Sequence, residues 1–125
     1  MTKSNESGKH AGMNARIENV LTPLGWVLRR EEKHTDITAF LPGRRGVWAL
    51  ESERRANAYW IKRNAFRNER NGACGIVFAT ESEAVAEKIR RIVGCLPEIL
   101  RRKVVVVSIE GFTESFVHNV MERNG

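Results

Sequence analysis

Cysteine is scarce in this chain: Cys74 and Cys95 are the only two, with no CxxC pair and no histidine nearby. That excludes a disulfide framework and a cysteine-based zinc site. Both thiols read as small buried hydrophobes in a reducing compartment. Long apolar runs are also missing, and none approaches the ~20 residues that a membrane-crossing helix needs. The first residues, Met1-Thr2-Lys3-Ser4-Asn5-Glu6-Ser7-Gly8, lack the apolar centre of a secretion signal, so a cytoplasmic location is expected. The three histidines, His10, His34 and His118, are scattered, and no serine or cysteine stands beside a base in the manner of a hydrolase triad. Gly8-Lys9 lacks both the upstream glycine and the following Ser or Thr of a phosphate-binding loop. No internal repeat or low-complexity tract is present.

What the chain does have is positive charge. The formal net charge is +6 and the pI about 9.9, which suits an anionic partner, nucleic acid being the commonest large one. At 125 residues, 42% of them hydrophobic, the chain is long and apolar enough for one packed domain and no more. Residues 1–10 are polar and read as a flexible tail, leaving 11–125 as the domain.

Apolar periodicity sets out the elements. Met13, Ile17, Val20, Leu21 and Leu24 follow helical spacing up to Gly25, with Pro23 kinking or shortening the last turn. Trp26-Val27-Leu28 reads as a short strand followed by a charged loop over 29–33. Strands are expected over 35–41 and 47–53, separated by Pro42-Gly43-Arg44-Arg45-Gly46. A helix spans 57–71 and carries Trp60, Ile61, Ala65 and Phe66, with Gly72 as its stop. Ile76–Ala79 and Val104–Ile109 read as strands covered on both faces. Between them Glu81–Val93 is a helix capped by Thr80, burying Ala84, Val85, Ile89, Ile92 and Val93. A last helix over 113–123 packs Phe116, Val117, Val120 and Met121. Early antiparallel strands followed by strand–helix alternation predict an α/β fold. The expected form is a three-layer α/β/α sandwich around a mixed four- to five-stranded sheet, with the strands at 76–79 and 104–109 parallel.

Within this order three acidic residues stand at strand ends in an otherwise basic protein. Asp36 begins one strand, while Glu51 and Glu53 end the next and share a face, because side chains alternate along a strand. If the two strands pair across the turn, Asp36 lies at the same end as the glutamates. Carboxylates gathered there repel one another unless a divalent cation or basic side chains neutralise them. Arg44, Arg45, Arg54 and Arg55 are near in sequence, so ordinary ion pairing at solvated strand ends is the competing reading.

A helix, a strand opening with Asp, a turn, a strand ending acidic-x-acidic, then a helix and an apolar strand resembles the PD-(D/E)XK restriction-endonuclease-like superfamily over residues 13–110. The resemblance implies a restriction-endonuclease-like fold and a Mg²⁺- or Mn²⁺-dependent nuclease acting on DNA. It maps Asp36 onto the metal-binding Asp and Glu51 onto the acidic residue of the second motif. Glu53 falls where most members have Lys, and Glu18 on the first helix corresponds to an accessory metal ligand of some members. Under this reading the catalytic set is Asp36, Glu51 and Glu53, and the metal set Asp36, Glu51 and Glu18. Glu53 could hold a second metal or accept a proton from the nucleophile, but it cannot supply the positive charge of the motif Lys. A homodimer or a partner ATPase is implied on the same basis, as is the alternative of an inactive member used for DNA binding or protein interaction.

Arg63, Arg67 and Arg70 recur at i, i+4, i+7 on the helix after Glu53, with Lys62 beside them and Arg54 and Arg55 leading in. Such a stripe can grip a phosphate backbone without reading sequence, and can equally be a solvated helix face. Tyr59 and Trp60 could stack on a base, with one of the pair expected in the core. Arg90, Arg91, Arg101, Arg102 and Lys103 form a second basic group, expected to aid solubility.

Overall fold

The computed structural model describes residues 8–32 and 35–123, with side chains over 11–30 and 35–123. The chain opens with helix α1 (Gly8–Leu21) and a short 3-10 turn at Thr22–Leu24, ended by Gly25. Residues 8–10 are therefore the first turn of α1 rather than part of a tail, while residues 1–7 lie outside the described residues. Pro23 closes the helical segment as expected, because it sits in the 3-10 turn where its missing N–H is not needed.

Three strands follow: β1 (Val27–Glu32), β2 (Thr35–Phe40) and β3 (Trp48–Glu53). The first runs on through residues expected to form a charged loop. Arg29 and Arg30 pair in register with Thr38 and Ile37 of β2, and as an edge strand β1 can carry charge on its open sides. Lys33, the end of that expected loop, lies outside the described residues. Then come α2 (Ala58–Arg70), β4 (Gly75–Thr80), α3 (Glu83–Val93), the single turn α4 (Glu98–Arg101) and β5 (Val104–Ser108). The chain closes with α5 (Glu114–Phe116), continued as a π-helical turn over Val117–Glu122.

The sheet is mixed and five-stranded, in the order β1-β2-β3-β4-β5. The first three strands form an antiparallel meander, and β3, β4 and β5 run parallel. Every residue of β4 is buried, as a central strand demands. By contrast β5 is an edge strand and its residues are only half-buried, which corrects the expectation of cover on both faces.

Two apolar clusters fill the two sides of the sheet. Ile17 and Leu21 of α1 pack with Ile37, Leu50, Val77, Phe112, Val117 and Met121 on one side. On the other, Ile61 and Ala65 of α2 and Ile89 and Val93 of α3 pack on Ala49, Ile76 and Phe78. The result is a mixed α/β fold with helices on both faces of one sheet, and a fully buried side chain such as Phe78 contributes about 2–3 kcal/mol of apolar burial. The second cluster includes no residue of β1 or β2, so on that side Asp36, Thr38 and Phe40 remain half-buried.

Capping fixes where the helices begin. Asn57 accepts a hydrogen bond from the Trp60 N–H at 3.1 Å and so starts α2. Gly72, at φ +89°, takes the left-handed conformation that ends it. At α3 the cap is Ser82, whose Oγ accepts from the Val85 N–H, and not Thr80, whose hydroxyl donates to the Ser82 carbonyl instead. Ala86 lies with Ile89 and Val93 on the buried face, while Ala84, expected there, is exposed. Neither thiol is deeply buried: Cys74 is half-buried and Cys95 exposed, both free.

Candidate active site

Three elements bring the acidic residues together. The β2–β3 register pairs Ile37 with Leu50, which sets Asp36 opposite Glu51 at the end where the ladder stops. There the side chains take over the pairing. The Asp36 carboxylate accepts from the Ser52 N–H at 2.9 Å, and the Asp36 N–H reaches Glu51 Oε1 at 3.4 Å. Glu51 and Glu53 share the face occupied by Ala49 and so point toward α2, whereas Leu50 belongs to the core beneath α1.

The α2 helix meets them with polar side chains at helical spacing. Asn64 donates to Glu53 at 3.3 Å, Arg67 to Glu51 at 3.3 Å, and Asn68 to Glu51 at 2.8 Å. Asn68 also accepts from the Thr35 hydroxyl, tying the start of β2 to the same buried amide. Glu51 is thus a junction of β2, β3 and α2, with only 3% of its surface exposed. Asn64 and Asn68, which hold the glutamates, were not singled out in the sequence. Their signal was there, since asparagines one turn apart inside a helix run against propensity and imply hydrogen-bonding work.

Burial decides the charge of this junction. Glu51 is raised from 4.5 to about 8, first by desolvation and then by the negative charges of Asp36 and Glu53, against which Asn68 and Arg67 pull down. At neutral pH the carboxyl keeps its proton. A cleft of about 140 Å³ opens beside it between β2 and α2, lined by Thr35, Thr38, Ala49, Asn68 and Asn71.

Glu18 is not brought to this group. It lies on α1 against the opposite face of the sheet, where it pairs with Arg30. From α1 it is Asn14 that touches β3, accepting from the Ser52 hydroxyl at 2.6 Å. The basic residues divide in the same way. Arg67 is turned inward onto Glu51 with its side chain 20% exposed, while Arg54, Arg55, Lys62, Arg63 and Arg70 are exposed around the rim. Tyr59 and Trp60 are both exposed, so neither is the core residue expected of that pair. Members of the second basic group are engaged in ion pairs: Arg90 with Glu83 and Glu87 of α3, Arg102 with Glu98 of α4, and Lys103 with Glu69 of α2.

The donor set can be weighed against the cation that the resemblance implies. Among the described residues no three His, Cys, Asp or Glu side chains converge as a metal cage. Asp36 and Glu51, opposite each other on β2 and β3, offer hard carboxylate oxygens. That is the modest protein share Mg²⁺ takes when waters and substrate phosphates complete its shell, and it does not suit Zn²⁺. The raised Glu51 fits too, because a cation arriving there would displace its proton. No family model, curated protein or solved structure matches the chain. Among the described residues no helix is long and apolar enough to cross a membrane.

Proposed function

We propose that this chain is a restriction-endonuclease-like domain that hydrolyses phosphodiester bonds in DNA with Mg²⁺ or Mn²⁺. The observation that carries the reading is Asp36 facing Glu51 across β2 and β3, where burial and acidic neighbours raise the Glu51 carboxyl above its ordinary value even with Arg67 beside it. Asp36 and Glu51 would hold the cation through their carboxylate oxygens, and when bound it would supply an acidified water and offset charge developing on the phosphoryl oxygens. Asn68 and Arg67 fix the Glu51 carboxyl in place, and Arg54, Arg55, Lys62 and Arg70 draw the phosphate backbone to the rim. Glu53, held by Asn64, takes up a proton from the attacking water.

A second reading has its own support. Glu53 stands where the superfamily pattern has a positive charge, and a guanidinium, Arg67, already sits on Glu51. On that ground the domain binds DNA, or a protein partner, without cutting. The deciding experiment incubates the purified chain with single- and double-stranded DNA in Mg²⁺ or Mn²⁺, with chelator and Glu51→Ala as controls. Cleavage that needs both metal and Glu51 supports hydrolysis. Salt-sensitive binding that persists in chelator without cleavage supports the second reading.

A further inference from the structure

We infer that Tyr59, Trp60 and Arg63 form a stacking platform for an unpaired nucleobase, so that the nucleic acid presented to Asp36 and Glu51 is single-stranded or locally opened. This rests on the proposed nucleic-acid function and adds the class of substrate. Two large aromatic side chains lie adjacent on the first turn of α2, Tyr59 61% and Trp60 51% exposed. They are not required for packing, because the core side of α2 is filled by Ile61 and Ala65. Leaving that much apolar surface in water costs free energy unless a ligand covers it.

The chemistry of the pair narrows the ligand. The rings meet edge to face with centroids 5.0 Å apart, which fixes both without covering either. The Arg63 guanidinium lies 5.9 Å from the Tyr59 centroid and 5.8 Å from the Trp60 centroid, and donates to the Tyr59 hydroxyl at 2.9 Å. Aromatic faces joined to a guanidinium plane suit a flat base with a phosphate attached, and every base offers such a face. Arg54, Arg55 and Lys62, near in sequence, are exposed and add positive charge to this end of α2, which favours the nucleic acid over an apolar peptide.

Position links the platform to the acidic cluster. Trp60 stands one helical turn before Asn64, the residue that binds Glu53, and two turns before Asn68, which binds Glu51. At a rise of ~1.5 Å per residue, the backbone of Trp60 is about 6 Å along the axis from that of Asn64. A strand whose base stacks on Trp60 therefore runs its backbone past Asn64 toward the carboxylates. Bases stacked within a duplex cannot reach a ring in this way, which gives the preference for unpaired strands.

Tryptophan fluorescence reads the contact directly. Of the three tryptophans, Trp26 and Trp48 are 5% and 4% exposed, so quenching by a bound base reports Trp60. The titration uses oligothymidylate of about 20 nucleotides and a duplex of equal length, in chelator, so the result does not depend on metal binding or cleavage. Oligothymidylate should quench the emission, and Trp60→Ala should weaken its binding about tenfold or more while duplex affinity changes less than about twofold. Trp60→Phe should recover most of the loss, since it restores a stacking ring. Equal quenching by duplex, or Trp60→Ala binding both ligands as wild type does, overturns the platform. So does a wild-type dimer that Trp60→Ala dissociates while oligothymidylate leaves the fluorescence unchanged, which would assign the patch to a second copy of the chain. Quenching without any cleavage in metal would remove the hydrolytic reading and leave the platform standing.

Discussion

The substitution Glu51→Gln isolates the consequence of burying a carboxyl among acidic neighbours. Glu51 is raised from 4.5 to about 8, mainly by desolvation and then by Asp36 and Glu53, with Asn68 and Arg67 opposing. Because the folded value is the higher one, this group's favourable contribution is complete below about pH 4.5 and is lost as the pH climbs toward 8. Between those limits the unfolded chain releases the proton while the folded chain keeps it, at about 1.4 kcal/mol per pH unit. Near pH 7 the accumulated cost is on the order of 3 kcal/mol, a sizeable share of the ~5–15 kcal/mol that holds a typical domain together. The amide side chain keeps the shape and an oxygen for Asn68 and Arg67, but cannot ionise. Urea denaturation of both proteins at about pH 5 and about pH 8 is the assay. The wild type should lose about 3 kcal/mol across that interval relative to Glu51→Gln, which should be the more stable of the two at the upper pH. His118 is also raised, through Glu122 and Glu114, and its favourable contribution is likewise lost as pH rises. It is common to both proteins and drops out of the difference. Parallel stability curves would refute the reasoning and show Glu51 ionised at neutral pH in the folded state.

Two further substitutions test the placement of particular residues. Gly75 faces Trp48 across β3 and β4, and a Cβ there would stand 2.4 Å from the indole ring, so Gly75→Ala should destabilise by about 1–3 kcal/mol, read as a drop in Tm of several degrees; an unchanged Tm would mean that Trp48 is not packed on that strand. Glu18→Gln removes a partly exposed partner of Arg30 on the far face of the sheet, so it should cost less than ~1 kcal/mol and leave metal dependence and DNA binding as in wild type. Loss of metal dependence in that variant would instead place Glu18 at the site.

Periodicity was enough to find every strand and the long helices, because a residue's preference for core or water is set locally. Ile76–Ala79 shows this: an apolar run too short for a helix became the buried central strand β4. Charge misled at β1, where Arg29 and Arg30 looked like a loop, since pairing with β2 and not side-chain character makes that segment a strand. The four valines of β5 misled in the other direction, because composition does not say which strand ends a sheet. A rival cap two residues away moved the start of α3, since Ser82 and Thr80 offer the same hydroxyl.

For the candidate site, the sequence by itself determined that Glu51 and Glu53 share a face and that Asp36 starts the neighbouring strand, because alternation along a strand is a local property. Only the tertiary structure decided which helix that face meets. It turned the glutamates toward Asn64, Arg67 and Asn68 of α2, left Glu18 with Arg30 behind the sheet, and buried Glu51 deeply enough to hold its proton. Register and the side of the sheet each helix covers depend on contacts between residues far apart in the chain, and no local pattern encodes them.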